Sequence, residues 1–336
     1  MNTKPAFVAA LPYFAQMKQE LLDFDASMSL AKGCIVGLLL AAVGAVPQKL
    51  LGADLSNWMA RLDGKRLLSE FTIPGTHDSG ALHEAEPFGR PVVGTTQCQM
   101  LPVATQLSIG VRFLDMRCVI KNDGFQIYHG DVDQQLSFDS VLNDCVSFLK
   151  SHQGETIIMS VKKEHGNDDD TKFEAVFDWY TAKNPRVWLL KDTLPALDEA
   201  RGKIVLLRRF DAAKLPKGIA AAPGQWQDNQ SFRINGAVEI HVQDRYRLDN
   251  KRQKWPAIQA LLQAAFHDQP DVFYLNFTSA YVKKTVFHIP GIREAAAAVT
   301  PALLTYLDQA PPGRYGVVIV DFADPTKCEK IIATNK

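Results

Sequence analysis

The chain has 336 residues, 46% of them hydrophobic, and its 37 basic side chains balance 37 acidic ones, so it carries no formal net charge. A chain of this length can bury a large core within one domain. Balanced charge, with no basic stripe interleaved with aromatics, excludes a nucleic-acid binder of the electrostatic kind.

Residues 1–26 show no strand or barrel pattern. Met28-Ser29-Leu30-Ala31-Lys32 then leads into an apolar run at 34–46, too short to cross a bilayer comfortably and of the length of a signal-peptide core. Small-residue cleavage sites follow at Ala45 and Ala53. The expectation is an N-terminal extension over 1–53, with Met28 as the true start, a signal peptide over 28–53 and a secreted mature chain. A buried or interfacial helix of a protein kept inside the cell is the competing reading. Without Cys34, the cysteines left are Cys98, Cys118, Cys145 and Cys328, an even number compatible with two disulfides in an exported protein.

From Asp54 onward, apolar β-branched runs alternate with amphipathic stretches. Strands are expected at 70–73, 112–118, 125–128, 156–162, 203–209, 238–242, 273–277 and 316–321. Helices are expected at 138–152, 172–183, 254–267, 292–307 and 325–332. This succession predicts the α/β class: a distorted (β/α) barrel of the TIM type, in a single domain over 54–336. A helix is missing between the second and third strands, which makes the barrel irregular.

Two segments carry the chemistry. IPGTHDSG at 73–80 and Tyr128-His129-Gly130 each place a histidine in a glycine-flanked turn just after an apolar run. Such a pair of rings, at two strand ends, suits one base and one acid. Between them the alternation of residues 111–117 puts Asp115 and Arg117 on one strand face. There the arginine fork fits a phosphate and the aspartate can hold the fork in place. Lys162, Arg209, Asp244 and Asp321 also fall at strand C-terminal ends, which in a barrel form the single face where active sites are built. The acidic run at 168–170 lacks the glycine and terminal glutamate of a calcium loop and reads as a solvated loop. With no Gly-x-Ser-x-Gly elbow in the chain, an ordinary serine lipase is excluded.

These segments resemble bacterial phosphatidylinositol-specific phospholipase C. The matching blocks are IPGTHDSG (73–80), Thr96-Gln97, FLDMR (113–117), His129-Gly130, ETIIMSVKKE (155–164), ARGKIVLLRRF (200–210), VQDRY (242–246), YLNFTS (274–279) and GVVIVDF (316–322), in order along the chain. The resemblance implies cleavage of phosphatidylinositol, free or in a glycosylphosphatidylinositol anchor, at a membrane surface. The inositol 2-hydroxyl attacks the adjacent phosphorus, releasing diacylglycerol and inositol 1,2-cyclic phosphate. It further implies His77 as general base with Asp321 behind it, His129 as general acid supported by Asp78, and Arg117 on the phosphate with Asp115 as its orienter. Lys162, Arg209 and Asp244 would bind the inositol hydroxyls, with Tyr246 stacked on the ring. Calcium-dependent relatives carry a carboxylate ligand where Arg117 stands, so neither a metal nor any other cofactor is expected, and the enzyme is expected to act as a monomer. Another barrel phosphodiesterase, or a non-catalytic inositol-lipid binder, is the alternative. The stretch 87–93 is the candidate membrane-facing rim; its lack of tryptophan implies weak interfacial binding.

Overall fold

The structure is a computed structural model and describes residues 54–86, 89–165, 169–282 and 291–335. The expected signal peptide, Cys34, the first two rim positions and Asp168 lie outside the described residues.

In chain order the elements are β1 (Ile73–Thr76), α1 (Val103–Ser108), β2 (Phe113–Lys121), β3 (Gly124–His129), β4 (Val132–Ser137), α2 (Phe138–Ser151), β5 (Ile157–Lys163) and α3 (Asp170–Lys183). They continue with β6 (Trp188–Leu189), α4 (Leu197–Ala200), β7 (Ile204–Arg209), β8 (Ile219–Ala220), β9 (Ser231–Ile234), β10 (Ile240–Gln243), β11 (Arg247–Leu248) and α5 (Lys254–His267). The last are β12 (Phe273–Phe277), β13 (Tyr281–Val282), α6 (Ile292–Gln309), β14 (Val317–Val320) and α7 (Pro325–Ala333).

One curled sheet runs in the order β6-β7-β5-β2-β1-β14-β12-β10-β9. From β7 to β10 every ladder is parallel, whereas β9 closes the far edge antiparallel to β10. Among the described residues no ladder joins the β7 side to β9, so the barrel is distorted and open along that seam. The irregularity expected between the second and third strands is an antiparallel excursion, β2-β3-β4.

Strand alternation builds two cores. Along β14, Val317 and Ile319 join Ile73, Phe113, Ile158, Val205, Leu275 and Phe277 inside the sheet's curl. Val318 and Val320 point outward to a layer shared with Leu142 and Phe148 of α2, Phe173 of α3, Leu262 of α5, Leu303 of α6 and Ile331 of α7. Trp58, Met59, Leu68 and Phe71, from the 3-10 turns before β1, join the inner core at the strands' N-terminal ends. The opposite end is left for chemistry. Gly75 serves this packing: a Cβ there would lie 3.0 Å from Phe113 Cβ and 3.1 Å from Ile319 Cγ1.

The sequence anticipates β12 and α5 without a shift and most other elements to within two or three residues. The first strand is displaced, beginning at Ile73 rather than residue 70. Leu68–Glu70 forms a 3-10 turn in which the Glu70 carboxylate accepts the Leu67 amide at 2.7 Å, and the ladder opens only with Ile73 N–H on Gly316 O at 3.0 Å. The short α1, α4, β6, β8, β9, β11 and β13 and the polar β4 are not anticipated, being too short or too polar to give a periodic signal. The disulfide expectation is corrected: Cys98, Cys118, Cys145 and Cys328 are all free and buried. Burial pushes the Cys328 thiol up to about 12 and raises the other three.

A buried ion pair fixes the strands' lower ends. Arg112, fully buried, donates to Glu155 Oε2 at 2.7 Å and to the carbonyls of Leu107, Val111 and Ser56, each at 2.7 Å. Glu155→Ala strands that guanidinium without its counter-charge, and urea unfolding is expected to show a loss of about 3–5 kcal/mol. A loss within about 0.5 kcal/mol, the range of ordinary surface substitutions, would show the pair to be dispensable.

Candidate active site

Register alone brings the first pair together. Thr76 of β1 lies beside Val320 of β14, so the next residues, His77 and Asp321, emerge side by side at the strands' C-terminal ends. His77 Nδ1 is 2.8 Å from Asp321 Oδ1. Arg117 of β2 is in register with Lys162 of β5, and Lys162 with Arg209 of β7, which makes a cationic row across three strands. Behind His77 the turn is locked by Ser79, whose Oγ donates to Thr76 O (3.0 Å) and accepts the Asp115 amide (2.8 Å). Asp78 takes the positive φ of 41° that this turn requires.

Arg117 is the hub. One terminal nitrogen meets His77 Nε2 at 2.7 Å and Asp115 Oδ2 at 3.3 Å; Nε is 3.5 Å from Asp78 Oδ2, and the other terminal nitrogen is 3.5 Å from Glu164 Oε1. A guanidinium only donates, so His77 Nε2 must hold a lone pair and Nδ1 the proton given to Asp321. That is the tautomer of a base facing the cavity. His129 sits across from it, with ring centroids 6.4 Å apart and planes at 86°. Its Nδ1 donates to the Thr96 carbonyl at 2.7 Å, while Asp78 Oδ2 is 3.5 Å away and so supports the ring by charge rather than by a hydrogen bond.

The electrostatics follow from this crowding. Burial opposes charge on His77, but Asp321 and Asp78 outweigh both burial and Arg117 and raise its pKa. His129 is lowered to about 4, by burial first and then by Arg117 and His77. Burial pushes Asp78 up to about 7 against the pull of Arg117. Asp115, equally buried, is held well below the carboxylate range by Arg117 and Arg209. Burial would raise Glu164, but Arg117 and Lys162 bring it down to about 2.

The cavity above these groups has a volume of about 450 Å³, within the range of small-molecule sites. Of the ten residues marked from the sequence, eight line it; Asp78 and Asp115 lie beneath, holding the others. On the far wall Arg209 stacks on Trp226 at 3.5 Å, and Trp226 Nε1 donates to Asp244 Oδ2 at 3.1 Å. Tyr246 is tied through its hydroxyl to Asp228 at 2.5 Å, with its ring tilted against Tyr281. Glu164 and Thr96 both fall in blocks that carry the resemblance, but neither is given a role from the sequence. Glu164 had a signal, two residues past Lys162 on the same strand face, and its carboxylate pairs with Lys162 and accepts the Gly130 amide at 2.9 Å. Thr96 acts through a loop carbonyl, which no side-chain pattern reveals.

Residues 71–210 match the family model described as phosphatidylinositol-specific phospholipase C, X domain. A 1-phosphatidylinositol phosphodiesterase of Staphylococcus aureus (strain Newman) is 33% identical over 289 residues, spanning 82% of this chain and 91% of that protein. Its counterpart in Listeria monocytogenes is 29% identical over 290 residues, 83% and 84% of the two chains. A solved structure of the Staphylococcus aureus phosphatidylinositol-specific phospholipase C, from work on modulation of its membrane binding, superposes with a TM-score of 0.74 at 29% identity, covering 84% of this chain and 98% of that one. The Listeria monocytogenes enzyme superposes with a TM-score of 0.63 at 25% identity, covering 84% and 99%.

Proposed function

Because the chain belongs to the phosphatidylinositol-specific phospholipase C family, we propose that it cleaves phosphatidylinositol to diacylglycerol and inositol 1,2-cyclic phosphate. The observation that carries the mechanism is the Arg117 guanidinium on His77 Nε2, with His129 facing it across the cavity. Since the nucleophile is the substrate's own 2-hydroxyl, the protein supplies proton transfer, charge and positioning. As Arg117 turns from His77 Nε2 to the phosphate, the freed lone pair takes the hydroxyl proton, and Asp321 stabilises the imidazolium that forms. The hydroxyl oxygen bonds to phosphorus as the phosphorus–glycerol oxygen bond breaks, and His129 returns a proton to the departing diacylglycerol oxygen. Arg117 stabilises the charge that gathers on the phosphoryl oxygens.

Before substrate enters, His77 holds a proton more readily than His129, the reverse of what the reaction needs. A phosphodiester anion seated on Arg117 offsets a charge that opposes protonation of both rings and so favours an imidazolium at His129, although burial, the larger cause of its depression, remains. Lys162, Arg209 and Asp244 offer donors and acceptors to the inositol hydroxyls, and Tyr246 offers a face for the ring. Val93 and Met100, 69% and 64% exposed on the loops beside the site, suit shallow contact with lipid.

Phosphorus NMR of products from phosphatidylinositol, with EDTA present, tests the reading. The expected result is inositol 1,2-cyclic phosphate at an undiminished rate, since Arg117 supplies the charge a cation would bring. Loss of most turnover in EDTA, restored by calcium, would overturn it. A glycosylphosphatidylinositol anchor presents the same inositol phosphate, and parallel assays on both lipids decide which is preferred. Export is tested on the native host's medium, where the chain is expected to begin at Val46 or Asp54. An intact N-terminus on cell-associated protein would reject export.

A further inference from the structure

Beneath His129 lies a group of atoms that the proposed reaction does not use in full. Cys98, fully buried, places Sγ 3.6 Å from His129 Nδ1 and 3.6 Å from the Thr96 carbonyl oxygen. Asp78 is also fully buried, neither of its carboxylate oxygens accepts a hydrogen bond among the described residues, and the Asp78, Cys98 and His129 ligand atoms lie within 4.8 Å of one another. Its Oδ2 is 3.5 Å from the same Nδ1.

We infer that Cys98 Sγ, His129 Nδ1 and Asp78 Oδ2 form an inhibitory site for a thiophilic divalent cation of the Zn²⁺ class. Zinc bonds of about 2.3 Å to sulfur and about 2.0–2.2 Å to nitrogen or carboxylate oxygen, at tetrahedral angles, set ligand separations of about 3.6 Å for S···N and about 3.4 Å for N···O. The observed 3.6 and 3.5 Å match both. A buried carboxylate without a hydrogen bond is costly, and a cation would supply what it lacks. The Thr96 carbonyl, displaced from Nδ1, lies close enough to serve as a fourth, weaker ligand. Charge also allows it: the Asp115, Glu164 and Asp321 carboxylates balance the Arg117, Lys162 and Arg209 cations around the two rings, which leaves the Asp78 carboxylate and the Cys98 thiolate to meet the metal's charge.

Binding moves protons in a defined way. The Cys98 thiol proton leaves to the buffer, and the neutral His129 ring shifts its proton from Nδ1 to Nε2 as Nδ1 takes the metal. The ring so held no longer cycles through imidazolium, and proton return to the leaving oxygen stops. A hard cation such as calcium, which prefers oxygen ligands, gains nothing from the thiolate, so this site is distinct in chemistry from a calcium requirement.

The test uses the full chain in two arms. In the binding arm, Co²⁺ is titrated into the wild-type protein in place of Zn²⁺. A thiolate-to-cobalt charge-transfer band that Cys98→Ser abolishes is the expected result, and a wild-type protein without the band overturns the site. In the inhibition arm, Zn²⁺ is titrated against turnover. Cys98→Ser is expected to keep its metal-free turnover and to need about 100-fold more Zn²⁺ for half-inhibition. Equal sensitivity in both proteins overturns the proposal. Cys98→Ala, checked by circular dichroism, serves in both arms if the serine variant does not fold. The binding arm stands independently of the catalytic role given to His129, so failure of that role is told apart from failure of the site.

Discussion

Replacing Arg117 by aspartate is expected to reduce turnover of phosphatidylinositol by about a thousandfold or more, with or without added calcium. Among the described residues the guanidinium is the one cation in contact with His77, Asp115, Asp78 and Glu164 together, at 2.7, 3.3, 3.5 and 3.5 Å. Its loss removes the phosphate clamp, and the new carboxylate stands among three others and repels the substrate's anion. Arg117→Lys keeps the charge but loses the planar fork, so its activity is expected to fall between those of the variant and the wild type. Asp115 keeps Arg209 at 3.3 Å, which limits the damage to folding; urea unfolding of the same variants measures what remains. Turnover of Arg117→Asp within tenfold of wild type would remove Arg117 from the chemistry. Calcium-dependent recovery would instead show that the pocket accepts a cation in its place.

His77→Ala and His129→Ala are each expected to lose about 10²–10⁴-fold in turnover, the usual contribution of a positioned acid or base. The leaving group separates their roles. A substrate whose departing group is a nitrophenolate needs little protonation, so His129→Ala is expected to recover much of its loss on it. His77→Ala is expected to recover none, because the 2-hydroxyl still needs a base. Equal losses for both variants on both substrates would refute the division. Asp321→Asn adds a test of orientation: it leaves the ring in place but weakens the 2.8 Å contact that sets the His77 tautomer, and its loss should fall on turnover rather than on KM.

Much of this protein was legible before its tertiary structure. Apolar patterning located two elements to the residue: β12 as a short, continuously buried run of five and α5 as a helical period over fourteen residues. Strand alternation put Asp115 and Arg117 on one face, and the rule that barrel sites gather at strand C-terminal ends brought His77, Lys162, Arg209, Asp244 and Asp321 to one mouth. These are one-dimensional facts, since a strand's facing and polarity are written in its own residues.

Contacts across the fold are not written there. The resemblance paired His77 with Asp321, but what brings them together is the β1–β14 register, between segments more than two hundred residues apart. The turn at Asp78 sends its carboxylate beneath the site, 3.5 Å from His129 Nδ1, whose hydrogen bond goes instead to the Thr96 carbonyl, a backbone atom that no side-chain pattern marks. Four cysteines counted as two pairs from their number alone. The fold buries each thiol apart from a sulfur partner and sets one of them against His129. Composition and period determined the elements, the face each presents and the chemistry available. Register and turn geometry, set by packing over the whole chain, decided which of those groups touch.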